Sequence, residues 1–188
     1  MNVLLINGAE VWPNSQGKLN ESLLLLAENY FQKIGCQVQI TRVAEPWHPT
    51  EEVEKVIQAN LILYFTPVFW MSIPSSFKEY LDKVFSGGRG RIYAHDGREQ
   101  GGSYGSAGLL KGSYSLITTF NAPLEAFDKE GFFEGKTVDD LFFPFHKAQQ
   151  FVGLKMTKSF SLHNVKKVTD WPQWKNDFLV HLHHISNP

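Results

Sequence analysis

A single cysteine is all that this chain carries, and Cys36 alone can neither close an intrachain disulfide nor furnish a thiolate metal cluster. No uninterrupted apolar run approaches the roughly 20 residues of a membrane span, and the first residues lack the basic flank and apolar stretch of a secretion signal. A soluble, cytoplasmic protein is the expectation. Eighteen basic and nineteen acidic side chains leave a net charge of −1, so no global positive field draws nucleic acid or an anionic membrane. Two chemistries lack their motif. No segment matches the phosphate loop G-x-x-x-x-G-K, and Gly88-Arg-Gly90 has Tyr93 where a dinucleotide fingerprint needs its third glycine. Gly101-Gly-Ser103-Tyr-Gly105 spells a hydrolase elbow but follows His95 to Gln100, which is no strand.

Aromatic residues are plentiful instead: 14%, including fifteen Phe and five Trp, enough to fill a core and still line a pocket for a planar ligand. At 188 residues the chain reads as one domain over 1–188. Val3 to Ile6 is apolar throughout, as in a strand buried on both faces. Leu19, Leu23, Leu26, Ala27, Tyr30 and Ile34 then recur at helical spacing, with Gly35 as the stop. Val38 and Ile40 alternate as a strand; Thr50 with Glu51, Glu52 and Glu54 marks the next helix start. Leu61 to Phe65 is a third strand, and Ile73, Phe77, Tyr80, Leu81, Val84 and Phe85 a helical stripe with Pro74 in its first turn. A glycine-rich excursion at about 86–113 follows, of the kind that is functional or mobile. Residues 114–120 and 155–162 read as strands, and 137–152 and 171–185 as helices.

Alternating strands and helices predict a parallel sheet with helices on both faces, and ligands then bind beyond the carboxyl ends of the strands. Three loops meet there. The first carries Ser15, Gly17, Lys18 and Asn20 into a helix N-terminus, which can hold a phosphate or be an ordinary capped helix start. The second, Thr66-Pro-Val-Phe-Trp-Met-Ser72, puts bulky apolar residues where turn residues are expected, suiting a flat ring or an interface. The third is Thr119-Phe-Asn-Ala122. His181, His183 and His184 read as cations near a helix C-terminus rather than metal ligands, and His146 as a capping or packing residue.

Taken in order, these residues resemble a known family over the whole chain. The carriers are Leu4-Leu-Ile-Asn-Gly-Ala9, Ser15-x-Gly-x-Leu-Asn20, Pro67-x-x-Trp-Met71, Pro74, Lys78-x-Tyr80, Val84-Phe85 and Tyr93-Ala94. Asp96-Gly-Arg98, Tyr104-Gly-Ser106, Asn121-Ala-Pro-x-Glu-Ala-Phe127, Phe132-Phe133 and Leu141 through Ala148 complete the series. The chain resembles the flavodoxin-like NAD(P)H:quinone oxidoreductases of the modulator of drug activity B branch. That resemblance implies a doubly wound α/β fold with a five-stranded parallel sheet of order 2-1-3-4-5. It also implies FAD as cofactor rather than FMN, NADPH as hydride donor, a quinone acceptor served by two-electron ping-pong transfer, and a homodimer. Ser15, Gly17, Lys18, Leu19, Asn20, Glu21 and Ser22 would hold the FAD phosphates, and Val68, Phe69, Trp70 and Met71 the isoalloxazine. Tyr104, from the same or the neighbouring subunit, and Thr119, Phe120, Asn121 and Ala122 would complete the site. Two departures stand out: Glu10 replaces a lysine common in the family, which changes the charge near the pocket mouth, and no Tyr and His pair follows Thr119. No acid–base residue is therefore named. An FMN-dependent azoreductase or flavin reductase, a flavodoxin-type electron carrier and a regulatory dimer are the other readings.

Overall fold

The computed structural model describes residues 1–13 and 15–186. Six parallel strands form one sheet: β1 (Asn2–Asn7), β2 (Gln37–Arg42), β3 (Leu61–Pro67), β4 (Ser113–Thr119), β5 (Lys155–Met156) and β6 (Phe160–Leu162). Their order is β2-β1-β3-β4-β5, with β6 also on β4, so two short strands share the fifth position. The uninterrupted last strand expected over 155–162 is thus broken. Between its halves, side-chain hydroxyls add to the pairing: Ser115 Oγ donates to the Lys158 carbonyl at 2.8 Å, and Thr157 Oγ1 joins its own backbone amide on the Tyr114 carbonyl, each at 2.8 Å.

Alternation along the strands sends successive residues to opposite faces. Val3, Leu5, Leu63, Phe65 and Ile117 pack with Leu23, Phe31, Phe178 and Leu182 under helices α1 (Lys18–Lys33) and α6 (Trp171–Ser186). Leu4, Ile6, Ile62, Tyr64 and Leu116 pack with Val53, Val56, Phe77, Tyr80 and Phe145. Those belong to α2 (Pro49–Gln58), α3 (Ser75–Gly87) and α5 (Phe143–Phe151) on the other face. The glycine-rich excursion is tied back: Tyr93 bridges Gly108, and Ile92 is buried in the second cluster. Among the described residues no helix is long and apolar enough to cross a membrane.

Three helix starts differ from the sequence reading. Helix α2 begins at Pro49 with His48 as cap, because the fixed φ of proline suits the first position, and Thr50 falls inside the turn. Helix α3 begins at Ser75, so Pro74 is its cap rather than part of its first turn. The helix expected over 137–152 is two: α4 (Val138–Leu141), closed by a reciprocal Thr137–Asp140 capping box, and α5. Pro144 has no N–H to continue the ladder from α4.

Two buried polar groups stitch the layers. Glu52, 1% exposed, accepts from Thr41 Oγ1 at 2.6 Å, Tyr80 Oη at 2.8 Å and Lys55 Nζ at 2.6 Å, joining β2, α2 and α3. His181 is the second, and it corrects the reading of three helix-end cations. Its Nε2 lies 3.0 Å from Ser115 Oγ, whose single proton is already committed to the Lys158 carbonyl, so the histidine nitrogen donates. Burial, with the charges of Lys158 and His184, brings its pKa down to about 4.

A depressed histidine pKa stabilises the fold above the unfolded value of about 6.5, and that contribution is lost as pH falls toward the folded value. Urea unfolding at pH 7 and at pH 4.5 should show wild type losing on the order of 2 kcal/mol more than His181→Gln over that interval. Parallel losses in the two proteins would show that His181 does not set the acid limb.

Candidate functional site

Three loops leave the carboxyl edge of the sheet and enclose a cleft of about 440 Å³, within the usual range for a small-molecule site. The first starts at Gly8, whose amide donates to the Phe65 carbonyl at 2.8 Å; a Cβ there would stand 2.4 Å from the Phe77 ring, so only glycine lets the chain turn between β1 and α3. Trp12 and Ser15 then exchange backbone bonds at 3.0 Å. Gly17, at φ 69°, is the cap residue of the 16-residue α1 and has no side chain with which to serve the first-turn amides.

In the second loop Phe69 and Ser72 exchange backbone bonds at 2.9 and 3.0 Å, and Trp70 and Met71 between them sit at φ 46° and 62°. Left-handed conformation costs a non-glycine residue roughly 1–2 kcal/mol, and such strain concentrates at functional sites. Trp70 is 94% exposed. The third loop continues strand pairing past β4 and β6: Phe120 N donates to Leu162 O at 2.7 Å, Val165 N to Phe120 O at 3.0 Å and Asn164 N to Ala122 O at 3.0 Å.

Ser15, Gly17, Lys18, Leu19, Asn20, Val68, Phe69, Thr119 and Asn121 all line the cleft. Asn20 is the most telling. It is 2% exposed; its Nδ2 donates to Thr119 Oγ1 at 3.1 Å and its Oδ1 meets no partner among the described residues. An unsatisfied buried acceptor costs about 1–3 kcal/mol. Glu21 and Ser22 line a neighbouring depression instead. Glu21 receives Arg42 at 2.6 Å and Asn7 Nδ2 at 2.8 Å; hydrogen bonds from Arg42 lower its pKa against partial burial. Trp70 and Met71 stand on the exposed turn, while the Phe120 ring is buried among Phe127, Phe133 and Phe142, with His163 stacked 5.6 Å away. Ala122 packs beside that cluster.

Tyr104 is not in the cleft of its own chain. It is 73% exposed, 5.6 Å from Phe151, and lines a groove with Phe85, Tyr93 and Lys147. Glu10, expected to alter the charge at the mouth, turns to the start of α3. His146 packs, as expected: Nδ1 meets Tyr114 Oη at 2.7 Å and Nε2 lies 3.3 Å from Asp139, at the opposite end of β4 from Thr119. Gln16 and Pro67, from the first two loops, line the cleft as well; sequence reasoning missed Pro13, Val165 and Lys166. The rule of the carboxyl edge, applied also to the last strand, would have found Val165 and Lys166.

Comparison with known proteins agrees with this geometry. A family described by its flavodoxin-like fold matches residues 1–179. The NADPH:quinone oxidoreductase MdaB of Haemophilus influenzae is 35% identical over 190 residues, 98% of this chain and 99% of its own. An uncharacterized Schizosaccharomyces pombe protein is 42% identical over 172 residues, 89% of this chain and 88% of its own. A solved Klebsiella pneumoniae structure, assigned as a quinone reductase, superposes with a TM-score of 0.78 at 22% identity over 99% of this chain and 84% of its own, which speaks to fold alone. With its sheet order, its cleft and these whole-length matches, the chain belongs to the flavodoxin-like fold family, on the branch that includes the Haemophilus quinone oxidoreductase.

Proposed function

We propose that this protein is a flavin-dependent NADPH:quinone oxidoreductase, with FAD as its flavin. The observation that carries the reading is the cleft itself, where the N-terminus of α1, whose cap residue Gly17 offers no side chain, opens on a space flanked by Lys18 and Lys166. Two cations and a helix N-terminus suit the two phosphates of a dinucleotide better than the single phosphate of FMN. Ser15 to Asn20 would hold the phosphates, Val68 and Phe69 would keep water from one face of the ring, and the amides near Asn121 would meet its polar edge. Bound there, the flavin supplies two-electron hydride chemistry in two half-reactions, NADPH as donor and a quinone as acceptor at the same face. The protein then needs to orient rings and offer donors where negative charge develops, with no nucleophile of its own.

A homodimer completes this reading. Tyr104 and Phe143 are exposed at 73% and 58% beside an apolar groove lined by Ile73, Leu81, Phe85, Phe142 and Phe145, a surface suited to a second copy. Tyr104, outside its own cleft, would then serve the cleft of its neighbour.

Purified protein should be yellow, release FAD on denaturation, bleach with NADPH without oxygen, and oxidise NADPH steadily when menadione is added. Released FMN would favour the azoreductase or flavin reductase reading, a flavin without turnover an electron carrier, and a colourless protein that takes up no added flavin would sink the proposal.

A further inference from the structure

Glu10 lies between two of the three loops that enclose the cleft. Its Oε1 accepts from the Ser76 amide at 2.6 Å and from Ser75 Oγ at 3.0 Å, and its Oε2 accepts from Trp12 Nε1 at 2.7 Å. Trp12 in turn meets Phe69 edge to face, ring centroids 6.3 Å apart. The carboxylate thus leaves the phosphate-side loop, closes over the N-terminus of the 13-residue α3, and reaches the strained 69–72 turn through the indole.

We propose that Glu10 is a positioning residue that locks the phosphate-side loop to the ring-side loop, so that both ends of the cofactor are bound by one coupled unit. This rests on the flavin reading of the cleft. A lysine at this position, expected from the family resemblance, would face the positive end of α3 and carry donors against the donors of Ser75, Ser76 and Trp12. Glutamate fits all three. Burial works to raise its pKa, but the Ser76 amide, Trp12 and Ser75 outweigh it and hold the group at about 2, so the link stays charged throughout the physiological range. Coupling two loops lowers the ordering cost that a ligand must meet on binding, which raises affinity without adding a contact.

Hydrogen exchange of the full chain tests the lock without any cofactor. In Glu10→Ala the amides of Phe69, Ser72 and Ser76 should exchange about 10-fold faster while those of β1 and α6 keep their rates. With FAD added, the same variant should bind it about 10-fold more weakly, and at saturation the visible circular dichroism of the flavin should change although Glu10 does not line the cleft. Glu10→Gln should fall between, because its carbonyl still accepts from Ser76 while its amide cannot accept from Trp12; it carries the test if Glu10→Ala does not fold. Unchanged exchange at 69–76 overturns the proposal, and so does a loosened turn with wild-type FAD affinity and dichroism. Faster exchange in a protein that takes up no flavin leaves the lock standing and brings down the function assigned above.

Discussion

Glu52→Ala is expected to lower the unfolding free energy by about 3 kcal/mol, the low end for removing one partner of a buried ion pair. The loss follows from what remains: the hydroxyls of Thr41 and Tyr80 lose their acceptor in a region where Glu52 is 1% exposed, and Lys55 loses its counter-ion. Lys55 is 28% exposed along its side chain and can rehydrate, so the larger values for such deletions do not apply. In a protein of this size, 3 kcal/mol corresponds to a melting temperature roughly 6–12 °C lower. Tyr80→Phe, which removes one donor and leaves the carboxylate its other partners, should cost about 1 kcal/mol. A thermal melt of the three proteins decides the matter, and equal midpoints for Glu52→Ala and Tyr80→Phe would mean that the network is not centred on the carboxylate.

The second large effect is on cofactor binding rather than stability. Gly17→Val should weaken FAD by roughly 30- to 100-fold, equivalent to about 2–3 kcal/mol. Position 17 holds φ 69°, which disfavours any side chain and β-branched ones most, and its Cβ would come within 3.1 Å of Ala9 Cβ. Relaxing that strain means rotating the residue out of the left-handed region, which re-aims the first amides of α1. Gly35→Val is the matched control: it also sits at positive φ, 80°, but at the other end of α1 with nothing within 4 Å of its Cβ. It should reduce stability and leave FAD affinity alone. Fluorescence titration of both variants with FAD is the measurement. Equal affinities in the two would remove the α1 N-terminus from the binding account.

What could be read from the residues was whatever local periodicity encodes. Val3 to Ile6 and Leu61 to Phe65 are apolar enough to be nothing but central strands, and once they are parallel the loops after them must share an edge. That is why Ser15, Asn20, Val68, Phe69, Thr119 and Asn121 came together. Phe120 went the other way for a reason also visible in the sequence. It directly follows Thr119, and neighbours in an extended chain cannot both face one cleft. The contributions of Val165 and Lys166 were hidden because the last strand is broken and weakly patterned. His181 was hidden more deeply: its neutral state depends first on burial, in a place where its bonding partner Ser115 is 66 residues away, which no local pattern reports. Tyr104 shows a third limit, since one chain contains only its own half of any surface.

The bow that divides β5 from β6 bears on how the molecule behaves in a crowd. A straight outer strand presents a continuous row of amides and carbonyls on which a foreign strand can seat, the usual first step of aggregation. Here the margin of the sheet runs for two residues, turns aside through Thr157, Lys158 and Ser159, and resumes for three. Lysines at 155 and 158 add charge along the same margin. An incoming strand would find no stretch long enough to hold it, so this side of the protein is closed to templated growth by its own irregularity.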